Sequence, residues 1–238
     1  YQASAGILDV CGTIGAPATV NPPIADYAGA LNSFALISAA LFRRERTGQG
    51  AYIDIGMADA ALALLGPEAA ALAQPNYDVR RGRGPYAGGW ACYNLYRCAC
   101  GGHISLGALE PRFWANFCAA VGRPDWIARQ TEPRPQTGLI AELSDLFAMR
   151  SRADWIATLS TLDACFHEAL TFRELAASEQ VAARAVFSKG ADGIVDLLLP
   201  AWLDGAAPPE RRPYVQTAAE TVAQDWASRK SQSIEDQT

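Results

Sequence analysis

The 238-residue sequence has no concentrated basic block beyond the short Arg80, Arg81, Arg83 cluster, and its formal net charge is −5. A nucleic acid partner is therefore not expected, because phosphate backbones are bound by a concentrated positive face. Nor does any stretch approach the roughly 18 uninterrupted apolar residues of a spanning helix, so no membrane association is expected. The first residues carry no charged segment followed by an apolar block, so no signal peptide is expected. The chain opens on Tyr1 and enters an apolar segment at once, and the reading is of a sequence cut at its N-terminus. Only two histidines are present, His103 and His167, and neither has a serine or cysteine elbow nearby; both read as structural or solvent-facing.

Six cysteines are scattered through a chain too large to need a disulfide scaffold. The one tight spacing, Cys98-Ala99-Cys100 with His103 nearby, supplies half of a zinc site, which usually needs two separated ligand pairs. No metal is expected, and the thiols read as reduced in a cytoplasmic compartment.

Half of the residues are hydrophobic (50%) and 19% are charged, a globular composition with room for one large domain or two small ones. Residues 1–25 are rich in glycine, proline and alanine and read as a winding loop. The strongest helix runs from Ala28 to Arg46, with Arg43, Arg44 and Arg46 complementing its C-terminal dipole and Gly48 as the stop. Ala51 to Ile55 reads as a short strand, and Met57 to Ala73 as a second helix. Residues 74–92 form a linker rich in Gly, Pro and Arg. Tyr93–Arg97 and His103–Leu106 flank a glycine-bearing turn and predict a hairpin.

Glu110-Pro111 opens a helix reaching Val121. Ser151-x-x-Asp154 and Thr171-x-x-Glu174 are capping boxes at two later helix starts, and Leu162–Phe166 is a candidate strand. Trp114, Trp126 and Trp155 fall on or beside helices and read as core. A Pro-rich crossing (Pro200, Pro208, Pro209, Pro213) precedes a helix near Thr217–Ser228 and a polar tail. No internal repeat is visible. Helices alternating with short strands around a mid-chain linker indicate an α/β chain with two subdomains.

Two carboxylates stand at helix starts. Asp26 directly precedes the strongest helix, where an aspartate serves either as a plain N-cap or as a functional carboxylate supported by the helix dipole. In the second reading the small residues Ala28, Gly29 and Ala30 give a substrate access to the backbone. Glu110 has the same pair of readings, and two such carboxylates suit acid–base chemistry. Gly82-Arg-Gly84-Pro-Tyr-Ala87 spells a dinucleotide fingerprint but lacks a leading strand and a following helix, so that reading is rejected.

Three strings, Ile24-Ala-Asp-Tyr-Ala-Gly-Ala30, Ala39-Ala-Leu-Phe-Arg-Arg-Glu-Arg-Thr-Gly-Gln-Gly50 and Ile53-Asp-Ile-Gly-Met-Ala-Asp-Ala60, resemble the middle of family III CoA-transferases. Tyr96-Arg97 through Leu106-Gly-Ala-Leu-Glu-Pro-Arg-Phe-Trp114 resembles the racemase-like branch, as does Asp163-Ala-Cys-Phe166 with Leu170-Thr-Phe-Arg-Glu174. The resemblance spans about residues 1–220.

It implies that Asp26 is the family's catalytic aspartate and Glu110 the glutamate of the racemase Glu-Pro motif. Tyr1 would end the CoA-binding strip, and Gly88 and Gly89 resemble the family's glycine loop, though they suit a plain turn equally. The racemase partner base would be a histidine upstream of Tyr1. The implied activity is first α-methylacyl-CoA racemisation and alternatively CoA transfer, with a coenzyme A thioester as substrate and no further cofactor; the remaining alternative is an inactive fragment or remnant.

The implied fold is α/β. A Rossmann-like large domain, incomplete here, takes residues 1–73, 74–92 form the linker and 93–185 a smaller α/β domain. Residues 186–228 return to the large domain and 229–238 form the tail. Family members form interlocked homodimers, so that Glu110 would serve the partner's Asp26. The sequence departs from the family at Cys98-Ala-Cys100-Gly, at His167-Glu168 and at Val215-Gln-Thr217.

Overall fold

The computed structural model describes residues 1–74, 78–190, 193–210, 217–224 and 226. The expected tail (229–238), Pro213 and the segment from Val215 to Gln216 lie outside the described residues. The chain divides into two compact units, 1–169 and 170–238.

In the first unit a short helix, α1 (Ile7–Val10), precedes the long helix α2 (Ile24–Thr47). The sequence places the start of α2 at Ala28, with Asp26 outside it; the helix in fact begins four residues earlier. Pro22 and Pro23 explain the difference. Pro23 sits at the N-cap with φ −67°, and its carbonyl accepts the backbone N–H of Asp26 at 3.1 Å and of Tyr27 at 3.2 Å. Proline lacks an N–H and has a φ already suited to a helix start, so the first turn forms directly behind it. Asp26 is the third helical residue. At the far end Gly48 takes a left-handed φ of +72° and donates its N–H to the Arg44 carbonyl at 2.8 Å, the expected glycine stop.

Only Ala25, Ala28 and Gly29 of α2 are buried. Here α2 packs on α3 (Met57–Leu62), and Ala25 joins Ala5, Ile7 and Ala61 in a small cluster with Leu65 packed against it. Elsewhere on α2, Leu31, Phe34, Ile37 and Phe42 stand exposed. By length and composition α2 is the one described helix that would suffice to cross a membrane.

Residues 51–55, read as a strand, pair with no strand among the described residues, and Tyr52 is 94% exposed. Alternating side chains make a strand only where a neighbour accepts its backbone bonds. The single helix expected from Met57 to Ala73 is broken into α3 and α4 (Gly66–Ala71). Gly66 and Pro67 account for the break: glycine weakens a helix interior, and proline offers no N–H to the preceding turn.

The hairpin forms where expected. β1 (Tyr93–Arg97) pairs antiparallel with β2 (His103–Gly107), Tyr93 opposite Gly107 and Arg97 opposite His103. A third strand, β3 (Phe166–Glu168), adds antiparallel to β2. It lies C-terminal to the predicted Leu162–Phe166 because Cys165 has a φ of +48°, a left-handed conformation that an extended strand does not admit.

Against this sheet pack α5 (Pro111–Ala120), a 3₁₀ helix (Pro124–Thr131), α6 (Thr137–Ala148) and α7 (Arg152–Leu159). Helix α5 opens at Glu110-Pro111 as predicted, and α7 carries the predicted Ser151–Asp154 capping box. Trp114, Trp126, Tyr96, Phe117 and Phe147 are fully buried between these layers. Tyr96 stacks on Phe147 at 5.0 Å, and Phe147 meets Trp155 edge-on at 5.2 Å.

The buried ring nitrogens are satisfied, as polar atoms in a core must be. Trp114 donates to the Trp126 carbonyl at 3.0 Å and Trp155 to the Phe147 carbonyl at 3.1 Å. The Gln136 amide oxygen accepts from the Ala91 backbone at 3.0 Å, and its nitrogen donates to the Gln130 carbonyl at 2.8 Å.

The second unit holds α8 (Phe172–Ala176), started by the predicted Thr171–Glu174 box, then α9 (Glu179–Ala183) and a two-stranded hairpin, β4 (Phe187–Lys189) with β5 (Val195–Leu197). Residues 219–224 are helical, inside the predicted Thr217–Ser228 span.

Candidate functional site

Asp26 lies in the first turn of α2 and is exposed to solvent. Its side chain accepts no hydrogen bond and forms no ion pair among the described residues. Pro23 holds the N-cap, so the Asp26 carboxylate does not cap the helix. The first-turn position leaves it beside the positive end of the helix dipole. The small residues after it are used differently from expectation. Ala28 and Gly29 are buried, and a Cβ on Gly29 would stand 3.4 Å from Met57 Cγ. Their small size admits α3, and only Ala30 stays open to solvent.

Glu110 occupies the N-cap of α5 with an extended backbone (φ −72°, ψ 137°) and makes no side-chain cap bond. Its carbonyl accepts the N–H groups of Phe113 at 3.0 Å and Trp114 at 3.2 Å, while its side chain is exposed. The strand β2 delivers it and the helix holds it. Beside it runs the turn 163–165. Asn116 donates to the Asp163 carbonyl at 2.9 Å, and the Cys165 carbonyl accepts the Gly107 N–H at 2.8 Å. The Cys165 thiol is held above its usual range by partial burial and then by the negative charges of Glu110 and Asp163. No hydrogen bond or ion pair joins Asp26 to Glu110 among the described residues.

Gly88 and Gly89 form a tight turn before β1. The Gly89 N–H donates to the Gly84 carbonyl at 3.0 Å, and its carbonyl accepts from Gln136 at 3.0 Å. A side chain at 89 would collide with the Arg83 carbonyl, so backbone packing by itself demands glycine here. The turn also bounds a groove of 440 Å³ lined by Gly12, Ile14, Gly82, Gly88, Asn94 and Thr137, among others. The N-terminal loop read as winding past something is one wall of this groove. Tyr1 is 66% exposed and does not line it.

His103 and His167 are both exposed, and His167 Nδ1 lies 2.8 Å from the Glu168 carbonyl oxygen. Among the described residues no three His, Cys, Asp or Glu side chains converge as a metal ion requires. Residues 82–87, the rejected fingerprint, run through turns.

Sequence reasoning passed over two features of this region. The groove wall at Asn94 and Thr137 carries no local signal, since it is assembled from segments distant in sequence. Cys165 does sit in the quoted Asp163-Ala-Cys-Phe166 string, yet its left-handed backbone beside Glu110 is visible only in three dimensions.

Comparison with known proteins places this geometry. The family model for CoA-transferase family III matches residues 1–214. The chain is 31% identical to α-methylacyl-CoA racemase from Homo sapiens over 181 residues, covering 74% of this chain and 47% of that protein. It is 30% identical to succinyl-CoA:mesaconate CoA-transferase from Haloarcula hispanica over 165 residues, 67% of this chain and 39% of that one.

A crystal structure of a CAIB/BAIF family protein from Brucella suis superposes with a TM-score of 0.74 at 22% identity, over 94% of this chain and 61% of that chain. That likeness is one of fold. The chain spans about half the length of the curated relatives it matches, at 47% and 39%. With the family model running through both helix-start carboxylates and the mixed α/β fold shared with a solved relative, the chain belongs to CoA-transferase family III.

Proposed function

We propose that the protein acts as an acyl-CoA racemase, exchanging the α-proton of an α-methylacyl-CoA thioester with Asp26 as one of its two bases. The observation that carries this reading is the 31% identity to α-methylacyl-CoA racemase over 181 residues. An unpaired Asp26 carboxylate at a helix N-terminus supports it. The thioester carbonyl acidifies the α-carbon. One base removes the proton to give an enolate, and the other returns a proton to the opposite face.

In this reading Glu110 supports the reaction, the second base is a histidine upstream of Tyr1, and the acyl-CoA is the substrate with no further cofactor. Tyr1, Gly88 and Gly89 would border the CoA thioester; the groove lined by Gly88 supports that one of the three. The protein would work in the cytoplasm as an interlocked homodimer in which Glu110 serves the partner's Asp26. Residues 1–73 and 186–228 would belong to a Rossmann-like large domain, 93–185 to the smaller domain, with 74–92 as linker and 229–238 as tail.

The test is α-proton exchange in D₂O followed by NMR, using the chain joined to the upstream segment of a family relative. Absence of exchange alongside intact CoA transfer would reject the racemase. The 238 residues alone should be inactive and bind CoA poorly; clear CoA binding by calorimetry would contradict that.

A second reading is favoured by the 30% identity to succinyl-CoA:mesaconate CoA-transferase. Asp26 would attack the donor thioester, releasing CoA thiolate and leaving a mixed anhydride. The thiolate then attacks the aspartyl carbonyl, expels the donor carboxylate and leaves an aspartyl-CoA thioester. Trapping that thioester with hydroxylamine at Asp26 would support transfer over racemisation.

A further inference from the structure

The turn between β1 and β2 places two thiols in one bend, next to the N-terminal end of α7. Cys98 donates its N–H to the Gly102 carbonyl at 2.8 Å, and its own carbonyl accepts the Gly101 N–H at 2.9 Å. The second bond closes a four-residue turn with Cys98 first and Cys100 third. Two Cα–Cα steps of about 3.8 Å folded around a turn leave these two Cα atoms about 5–6 Å apart, inside the roughly 4.4–6.8 Å that a disulfide spans.

The two sulfurs are in different settings. Cys98 is buried on the Tyr96 side of the hairpin and lines an open groove with Arg97, His103 and Asp145. Cys100 is exposed, and its Sγ accepts the backbone N–H of Arg152, the first residue of α7, at 3.4 Å. Gly102 lets the Arg152 side chain lie close to the turn: a Cβ there would crowd Arg152 Cδ at 3.2 Å and only touch Cys100 Sγ at 3.5 Å.

The Arg152 side chain stays beside the turn, tied to Glu168 at 3.1 Å and to the Ala169 carbonyl at 3.0 Å. Backbone N–H groups of Arg152 and Gly102, with the Arg152 charge, hold the Cys100 thiol below its usual range. Burial and then the charge of Cys100 hold Cys98 above its own.

We propose that Cys98 and Cys100 form a peroxide-sensitive dithiol, with Cys100 the attacking thiolate and Cys98 the resolving thiol. Cys100 sulfur attacks one oxygen of a hydroperoxide, the O–O bond breaks, and the leaving oxygen departs as water or alcohol after taking a proton. Cys98 sulfur then attacks the resulting sulfenic acid, loses its proton and forms the S–S bond as water leaves. Two thiols lose two electrons in all, and the hydroperoxide gains them. The asymmetry between the thiols carries the assignment, because nucleophilicity follows thiolate character and access.

Cys165, the other exposed thiol, is the internal control. Brief treatment with equimolar hydrogen peroxide, alkylation and peptide mapping should find the Cys98–Cys100 disulfide as the first product, reversed by dithiothreitol. The Cys98→Ala variant should stop at a sulfenic acid on Cys100 that dimedone traps. Iodoacetamide should label native Cys100 at least about tenfold faster than Cys165 at neutral pH. Oxidation of Cys165 first, a Cys98 that remains fully alkylatable after peroxide, or equal labelling of Cys100 and Cys165 would each overturn the proposal. The wild-type measurements stand even if the buried substitution impairs folding.

Discussion

The layer around β1, β2 and α5–α7 and the long helix α2 both carry large apolar side chains and are opposite in what they do with them. In the first, a continuous core runs from Ala91 to Ala164, and its large rings are buried against one another. In the second, Leu31, Phe34, Ile37 and Phe42 face solvent, and burial is confined to small residues at the N-terminal end. Sequence hydrophobicity is thus a statement about what a segment needs, not about whether this chain supplies it. The layer satisfies its own needs. Helix α2 does not, among the described residues, and it is the element that carries Asp26.

The largest predicted contrast follows from that difference. Phe147→Ala removes a ring that stacks on Tyr96 and meets Trp155 edge-on and should cost about 3–5 kcal/mol in a denaturant melt. Phe34→Ala, at a side chain that is 74% exposed, should change stability by less than about 0.5 kcal/mol. A Phe34→Ala cost near that of Phe147→Ala would mean that α2 is covered in solution, and the comparison would fail.

Next in size, Gly89→Ala forces a methyl against the Arg83 carbonyl and should destabilise by about 2 kcal/mol. Gly48→Ala meets no neighbouring atom but must hold φ at +72°, at a cost of about 1 kcal/mol. Equal costs at the two glycines would make the close backbone approach at 89 irrelevant. Ser151→Ala removes the cap of α7 and should lose about 1 kcal/mol.

The smallest effect concerns Glu142, which accepts from Arg129 at 2.6 Å, Arg123 at 2.9 Å and Trp126 at 3.0 Å. These donors, Arg129 foremost, hold its carboxyl at about 2, below the ordinary 4.5. Because the folded value is depressed, the stabilisation is present above about 4.5 and is lost as pH falls toward about 2. Glu142→Gln should lower stability by about 0.5–1 kcal/mol at neutral pH, a partly exposed group being screened. The gap from wild type should close on acidification across that window; a gap that widened instead would reverse the sign.

Much of the layer around β1, β2 and α5–α7 was legible because its signals are local. Glycines at 101 and 102, the Glu110-Pro111 start and the Ser151–Asp154 box each fix a boundary through bonds within a few residues, and in the second unit the Thr171–Glu174 box does the same. The segment 51–55 was misread because a strand is defined by a partner that local alternation does not reveal. The break at Gly66-Pro67 and the early start of α2 behind Pro23 were signalled in the sequence, and the apolar pattern outweighed both.

The site divides in the same way. Both helix-start carboxylates were visible by position, and their preference over plain caps came from the family resemblance. The groove beside Gly88 and the left-handed Cys165 beside Glu110 depend on distant segments meeting.

Whether the proposed Asp26 carboxylate reacts is tested by α-proton exchange of an α-methylacyl-CoA in D₂O, comparing Asp26→Asn with the unsubstituted sequence, each joined to the upstream segment of a family relative. Exchange should fall by about 10²–10⁴-fold while the melting transition stays in place. Exchange at the unsubstituted rate in the folded Asp26→Asn protein would contradict the proposal.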